Sequence, residues 1–110
     1  HFLAEVIALL KKNTAKFETG MIYVSDHGES LGENGIYLHG LPYFLAPDEQ
    51  KKVPLFVWLD ERLKSELNIE AVKINTRLRI SHDSLFHTIL GIFEVENTLY
   101  NKKLDILKPQ

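Results

Sequence analysis

Apolar positions recur at helical spacing from the first residues of the chain. Phe2, Leu3, Val6, Ile7, Leu9 and Leu10 fall on one side of a 3.6-residue wheel, with Glu5 and Lys11 off that face. The pattern predicts an amphipathic helix over His1–Lys12, with Lys11 and Lys12 complementing its negative pole and Asn13 ending it. Asn13–Gly20 is a polar connection. Met21–Ser25 is too short for a helix and runs apolar through Val24, the pattern of a strand buried on both faces. Val53–Leu59 predicts a second strand, with Pro54 near its start, where strands tolerate proline.

Asp60–Leu67 reads as one or two helical turns. Across Asn68–Ile80 the alternation of Val72, Ile74 and Leu78 points to an extended edge segment. Ser81–Phe93 predicts a helix whose apolar stripe is Phe86, Ile89, Leu90 and Phe93, capped by Ser81 or Asp83 and weakened in its last turn by Gly91. In the tail, Glu94–Gln110, the residues expected to tuck back are Leu104, Ile106 and Leu107. Helix followed by strand is half of an α/β repeat, so the fold class expected is α/β.

The segment between the two strands breaks both periodicities. Gly28–Pro47 holds four of the chain's six glycines, Gly28, Gly32, Gly35 and Gly40, and reads as a long functional loop. It begins where Met21–Val24 stops, at Ser25-Asp26-His27-Gly28. Open α/β sheets place their chemistry at the carboxyl ends of strands. Neighbouring side chains on a strand point to opposite faces, so Asp26 and His27 meet only if the chain turns there, which Gly28 permits. A carboxylate oxygen with an imidazole nitrogen suits zinc, manganese or iron rather than calcium. Taken blind, the same dipeptide is also what a cap or loop pair looks like, and a catalytic zinc usually has three protein ligands.

The other candidates read more plainly. His39 alone is a loop hydrogen-bonder, His82 a helix-start residue and His87 a helix-surface residue. Glu29 and Glu33 complement a helix start, line a pocket or stay solvated. Ser25-Asp26-His27 has the residue types of a hydrolase triad, but consecutive side chains cannot line up in a relay, and no G-x-S-x-G elbow is present.

Composition narrows the classes. At 110 residues the chain is at most one small domain, and 45% apolar residues argue against disorder. A net charge of -2 without a long basic block disfavours nucleic acid as a partner. No cysteine is present, which removes disulfides and thiolate metal sites. No apolar run approaches the roughly 20 residues of a membrane span. The chain opens at His1 without an initiator methionine, and a piece of a longer protein is the expectation.

The stretch Tyr23–Gly35, YVSDHGESLGENG, followed by Tyr37-Leu38-His39-Gly40 and Pro42-Tyr43, closely resembles the phosphoethanolamine transferases of Gram-negative bacteria, within the alkaline phosphatase and sulfatase superfamily. Ala46–Gln50 with Val53-Pro54, Ser81–His87, and Leu99–Asn101 before Leu104–Leu107 extend the match over nearly the whole chain. The resemblance implies that residues 1–110 are the C-terminal portion of an alkaline phosphatase-like sandwich, a sheet flanked by helices. It implies a parent enzyme held in the inner membrane by an upstream part, with its catalytic domain in the periplasm. That family's members modify lipid A and include those behind polymyxin-class resistance.

By the same resemblance, Zn2+ activates a threonine nucleophile that takes phosphoethanolamine from phosphatidylethanolamine and passes it to lipid A or another acceptor. Asp26 and His27 match two zinc ligands, and His39 matches a histidine that contacts the substrate phosphate. The threonine nucleophile and a glutamate ligand match nothing in this chain and are expected upstream. The alternatives are a sulfatase or phosphatase of the same superfamily, with water as acceptor, or a segment inactive by itself.

Overall fold

The computed structural model describes all residues, His1–Gln110. They form two compact units, His1–Leu59 and Asp60–Gln110. No helix is long and apolar enough to cross a membrane.

The first unit opens with α1, Phe2–Lys11. Leu3, Val6, Ile7 and Leu10 form its sheltered side, whereas Phe2 and Leu9, placed on the same stripe by the sequence, are 71% and 61% exposed. Asn13 ends the helix as expected: its side-chain amide donates to the Leu9 carbonyl at 3.0 Å, satisfying one of the orphan acceptors of the last turn. Strand β1, Gly20–Val24, pairs antiparallel with β4, Leu55–Leu59, in the register Gly20↔Leu59 to Val24↔Leu55.

The expectation of a strand buried on both faces is corrected. Tyr23 is 37% exposed and stacks on its cross-strand partner Phe56 at 6.1 Å between ring centroids, and none of the five residues of β1 is buried. A ladder of two strands leaves one edge of each unpaired. Leu55 begins β4 directly after Pro54, which has no N–H to give the ladder.

The chain between Val24 and Leu55 leaves and re-enters at one end of this ladder. It carries a small hairpin, β2 (Ser30–Leu31) with β3 (Tyr37–Leu38), and a single helical turn, α2 (Asp48–Lys51). Gly32, Asn34 and Gly35 all have positive φ in the hairpin turn, which is why this stretch is rich in glycine and asparagine.

The second unit is helical. Asp60 caps α3, Glu61–Ser65, through its Oδ1, which accepts from the Arg62 and Leu63 amides at 3.0 Å each. Asn68–Ile80 is not extended: Ile69–Asn75 is a helix, α4, because Asn68 accepts from the Ala71 amide and caps it. Ile69 and Val72 are sheltered and Asn75 is buried, a helical spacing, whereas Ile74 is 62% exposed.

In helix α5, Asp83–Ile92, Leu90 is the one sheltered residue of the expected stripe. Ser84 and Thr88 are buried, while Phe86, Ile89 and Phe93 are 49%, 42% and 74% exposed. The reason is a polar staple. Thr88 Oγ1 donates to the Ser84 carbonyl and accepts from the Ile106 amide at 3.1 Å. Asn75 donates to the carbonyls of Ile106 and Lys108, and Tyr100 donates its hydroxyl to Asp105 Oδ2 at 2.8 Å. Gly91 does more than weaken a turn, since a Cβ there would lie 2.0 Å from Asp105 Oδ2. Ile106 and Leu107 do tuck back, at 8% and 4% exposure, while Leu104 stays 37% exposed. His87 is half-buried and accepts from the Asn101 amide at 3.1 Å, so it holds the tail rather than idling on the helix surface.

Candidate metal centre

The site lies where β1 ends. Ser25 leaves the ladder, and its hydroxyl donates to the His27 carbonyl at 2.7 Å, closing a tight local turn. The His27 amide donates to Asp26 Oδ1 at 3.0 Å. That bond, and then the nearby His27 imidazole, hold the Asp26 carboxyl below its usual pKa. Gly28 completes the turn by direct contact: its N–H donates to the Gln50 carbonyl at 3.1 Å, and a Cβ on it would lie 1.8 Å from the Glu49 carbonyl oxygen. Only glycine allows the two backbones to approach this closely.

The turn brings the Asp26 and His27 side chains to one side. His27 Nε2 lies 3.8 Å from Asp26 Oδ2. His27 Nδ1 lies 2.8 Å from the Gly28 carbonyl oxygen, which can only accept, so Nδ1 carries the hydrogen of that bond. In the neutral ring the Nε2 lone pair therefore faces a carboxylate oxygen. At 3.8 Å the two are too far apart for a direct hydrogen bond. Two acceptors that face each other across that distance fit an ion lying about 2.0–2.2 Å from each, the bond lengths of zinc to nitrogen and to carboxylate oxygen. The donor set and the fixed tautomer thus suit zinc, and the backbone carbonyl on Nδ1 is the usual outer partner of a metal-bound imidazole.

His39 arrives from the far end of the β2–β3 hairpin. Its ring packs on His27, with centroids 4.0 Å apart and planes inclined by 32°. Its Nδ1 donates to Glu29 Oε2 at 2.8 Å, leaving Nε2 directed elsewhere. One ligand atom from each of His27, Glu29 and His39 lies within 4.8 Å of the others, all three residues being exposed. Of the residues singled out from the sequence, His27 and His39 belong to this cluster, while Asp26 stands beside it, 3.8 Å from His27 Nε2. Glu29, read as helix complement, pocket lining or solvated residue, is instead the partner that orients His39. Nothing in local spacing reveals this, because the hairpin alone brings residue 29 to residue 39. Glu33 caps no helix: its Oε2 accepts from the Leu31 amide of β2 at 2.7 Å, and backbone hydrogen bonds lower its pKa. His82 precedes α5, as expected for a helix-start residue.

The sulfatase family profile matches residues 1–95. The phosphoethanolamine transferase EptA of Salmonella typhimurium is 46% identical over 112 residues, covering 99% of this chain and 20% of that protein. The phosphatidylethanolamine transferase Mcr-1 of Escherichia coli is 44% identical over 94 residues, covering 86% of this chain and 16% of that protein. The chain thus spans about a fifth of the length of these relatives. Among solved structures, the C-terminal periplasmic domain of the phosphoethanolamine transferase EptC from Campylobacter jejuni superposes with a TM-score of 0.85 at 45% identity, over 97% of this chain and 33% of that one. The mixed helix and strand arrangement is therefore part of the fold of such periplasmic domains, a partial segment of an alkaline phosphatase-like fold.

Proposed function

The chain belongs to the sulfatase family, and from that premise we propose that it supplies part of the active site of a zinc-dependent phosphoethanolamine transferase. The donor is phosphatidylethanolamine and the acceptor lipid A or a similar phosphorylated glycan. The parent enzyme sits in the inner membrane, through segments outside this chain, with its catalytic domain facing the periplasm. Names of relatives support the reaction class, since EptA is a phosphoethanolamine transferase and Mcr-1 a phosphatidylethanolamine transferase.

Asp26 Oδ2 and His27 Nε2 are the groups that would hold zinc. A bound zinc lowers the pKa of a coordinated hydroxyl and offsets charge on a transferring phosphoryl group. The work of this chain's own residues is positional. Gly28 holds the turn, its carbonyl fixes the His27 tautomer, and Glu29 orients His39. His39 would turn its Nε2 edge toward a non-bridging phosphate oxygen, with Nδ1 held by the Glu29 carboxylate. The nucleophilic threonine is expected outside this segment.

The observation that carries this reading is the placement of Asp26 Oδ2 3.8 Å from His27 Nε2, with His27 Nδ1 taken by the Gly28 carbonyl. The test is metal content and transfer in the intact enzyme. Asp26→Ala and His27→Ala are expected to lose zinc and transferase activity together, and His39→Ala to keep zinc and lose turnover. Full zinc and full transfer in both ligand variants would refute the assignment. Phosphate or sulfate released to water at the rate of donor consumption, with no modified lipid, would replace transferase by hydrolase.

A further inference from the structure

Gln50 touches both segments that carry the imidazoles. Its backbone carbonyl accepts from the Gly28 amide at 3.1 Å, immediately after His27. Its side-chain Nε2 donates to Ser30 Oγ at 2.8 Å and to the Leu38 carbonyl at 3.0 Å, immediately before His39. Gln50 is 7% exposed and Ser30 1%. Sheltered bonds of this kind have no water to replace a lost partner.

Leu38 adds a second observation. Its φ is 64°, in the left-handed region that a leucine avoids. Such a conformation persists only where its surroundings over-determine it. The Gln50 amide is bonded to the carbonyl of that residue, and the conformation of Leu38 sets the direction in which the chain presents His39. Neither imidazole is hydrogen-bonded to Gln50, yet the geometry of both passes through it.

We infer that Gln50 is a positioning residue that fixes His39 relative to His27, its main chain holding the His27 turn and its side chain the His39 turn. The inference rests on the phosphate-contacting role proposed above for His39. The division of labour makes it specific. Side-chain variants of Gln50 release the His39 segment and leave the bond to Gly28 in place.

The experiment uses the full-length enzyme and the variant Gln50→Met, which keeps the length of the side chain and removes both donors. The expected result is a fall in kcat of about 10–100-fold, the range seen when an outer partner or about 1 Å of alignment is lost. Zinc affinity, read by chelator competition, stays within about twofold of wild type, because the His27 turn is untouched. Added to His39→Ala, Gln50→Met lowers kcat no further, since its effect runs through a side chain already removed.

Wild-type kcat in Gln50→Met beside an impaired His39→Ala overturns the inference and leaves the functional reading standing. Full activity in His39→Ala refutes the role of His39 itself. Multiplicative loss in the double variant, or loss of zinc in Gln50→Met, means Gln50 serves general stability, and also overturns it. Should Gln50→Met fail to fold, Ser30→Ala removes one of the two acceptors. Its kcat is then expected to fall about 2–10-fold, as for one net hydrogen bond, and wild-type kcat there is likewise contrary.

Discussion

Gly28→Ala puts the smallest possible side chain at the closest backbone approach in the site. The added Cβ would lie 1.8 Å from the Glu49 carbonyl oxygen, 2.9 Å from the Glu49 carbonyl carbon and 3.1 Å from Gln50 Cα. All three are main-chain atoms, so no rotamer change relieves the clash. Restoring ordinary contact, at about 3.5 Å, requires the segments to separate by roughly 1.5 Å. That movement breaks the 3.1 Å bond from Gly28 to Gln50 and carries the Gly28 carbonyl that fixes His27 Nδ1 at 2.8 Å. Overpacking costs about 1–3 kcal/mol and the lost bond about 0.5–1.5 kcal/mol. For the proposed zinc site, whose His27 loses its fixed tautomer, the expected loss of metal affinity is about 10–100-fold. Chelator competition on the intact enzyme measures the affinity, and urea melts of the zinc-free form measure stability. Gly35→Ala is the control: it has positive φ, 73°, but open space around a Cβ, so it carries backbone strain without moving His27. Unchanged zinc affinity in Gly28→Ala, or equal zinc losses in the two variants, would refute the account of the turn.

The tail staple gives three further expectations. Asn75→Ala leaves the carbonyls of Ile106 and Lys108 without their donor and is expected to cost about 1–3 kcal/mol in a urea melt. Gly91→Ala drives a methyl group to 2.0 Å from Asp105 Oδ2, a carboxylate 1% exposed and bonded to Tyr100 and the Leu107 amide; a loss of about 1–3 kcal/mol is expected. Tyr100, pushed up from 10.0 to about 12 by burial and then by the Asp105 hydrogen bond, stays protonated in the folded state after it ionises in the unfolded one. Its contribution is thus complete below pH 10 and is lost as pH rises to about 12. Denaturant melts across that window are expected to show the loss in wild type and to show less of it in Tyr100→Phe.

What the sequence disclosed, and what it hid, follows physical lines. The ends of helix α1, the second strand and the Asp26–His27 turn were legible because each depends on residues next to one another: an Asn that caps, a Pro that starts a strand, a Gly that permits a turn. Asn68 was an equally local signal, but the alternation of Val72 and Ile74 masked it and gave an extended segment where a capped helix stands. Helix α5 stands where the periodicity puts it, but Leu90 alone of its apolar stripe is sheltered. Apolar periodicity assumes that the buried side is the oily one, whereas here Ser84, Thr88 and Gly91 face a returning tail whose backbone needs hydrogen bonds and close approach. Glu29 and Gln50 were hidden for a different reason. Their partners lie ten or more residues away, across a hairpin that no period announces.

The charge of the site bears on the order in which its ligands arrive. Asp26 and Glu29 place two carboxylates beside His27 and His39, and Asp26 is held in its ionised form by the His27 amide. Like charges at close range repel, and a phosphate diester brings one more negative charge. The imidazole of His39 can reach that phosphate only with the ring nitrogen that Glu29 does not hold. A divalent cation on Asp26 and His27 offsets the two carboxylate charges, being the largest charge in such a site. In this reading the metal is a condition for binding the donor as well as for turnover. Zinc removal from the intact enzyme is expected to weaken binding of a non-reactive donor analogue, and restoring zinc to recover it. Equal analogue affinity with and without zinc would confine the ion to the chemical step and leave the positive charge for phosphate binding to be found on other residues.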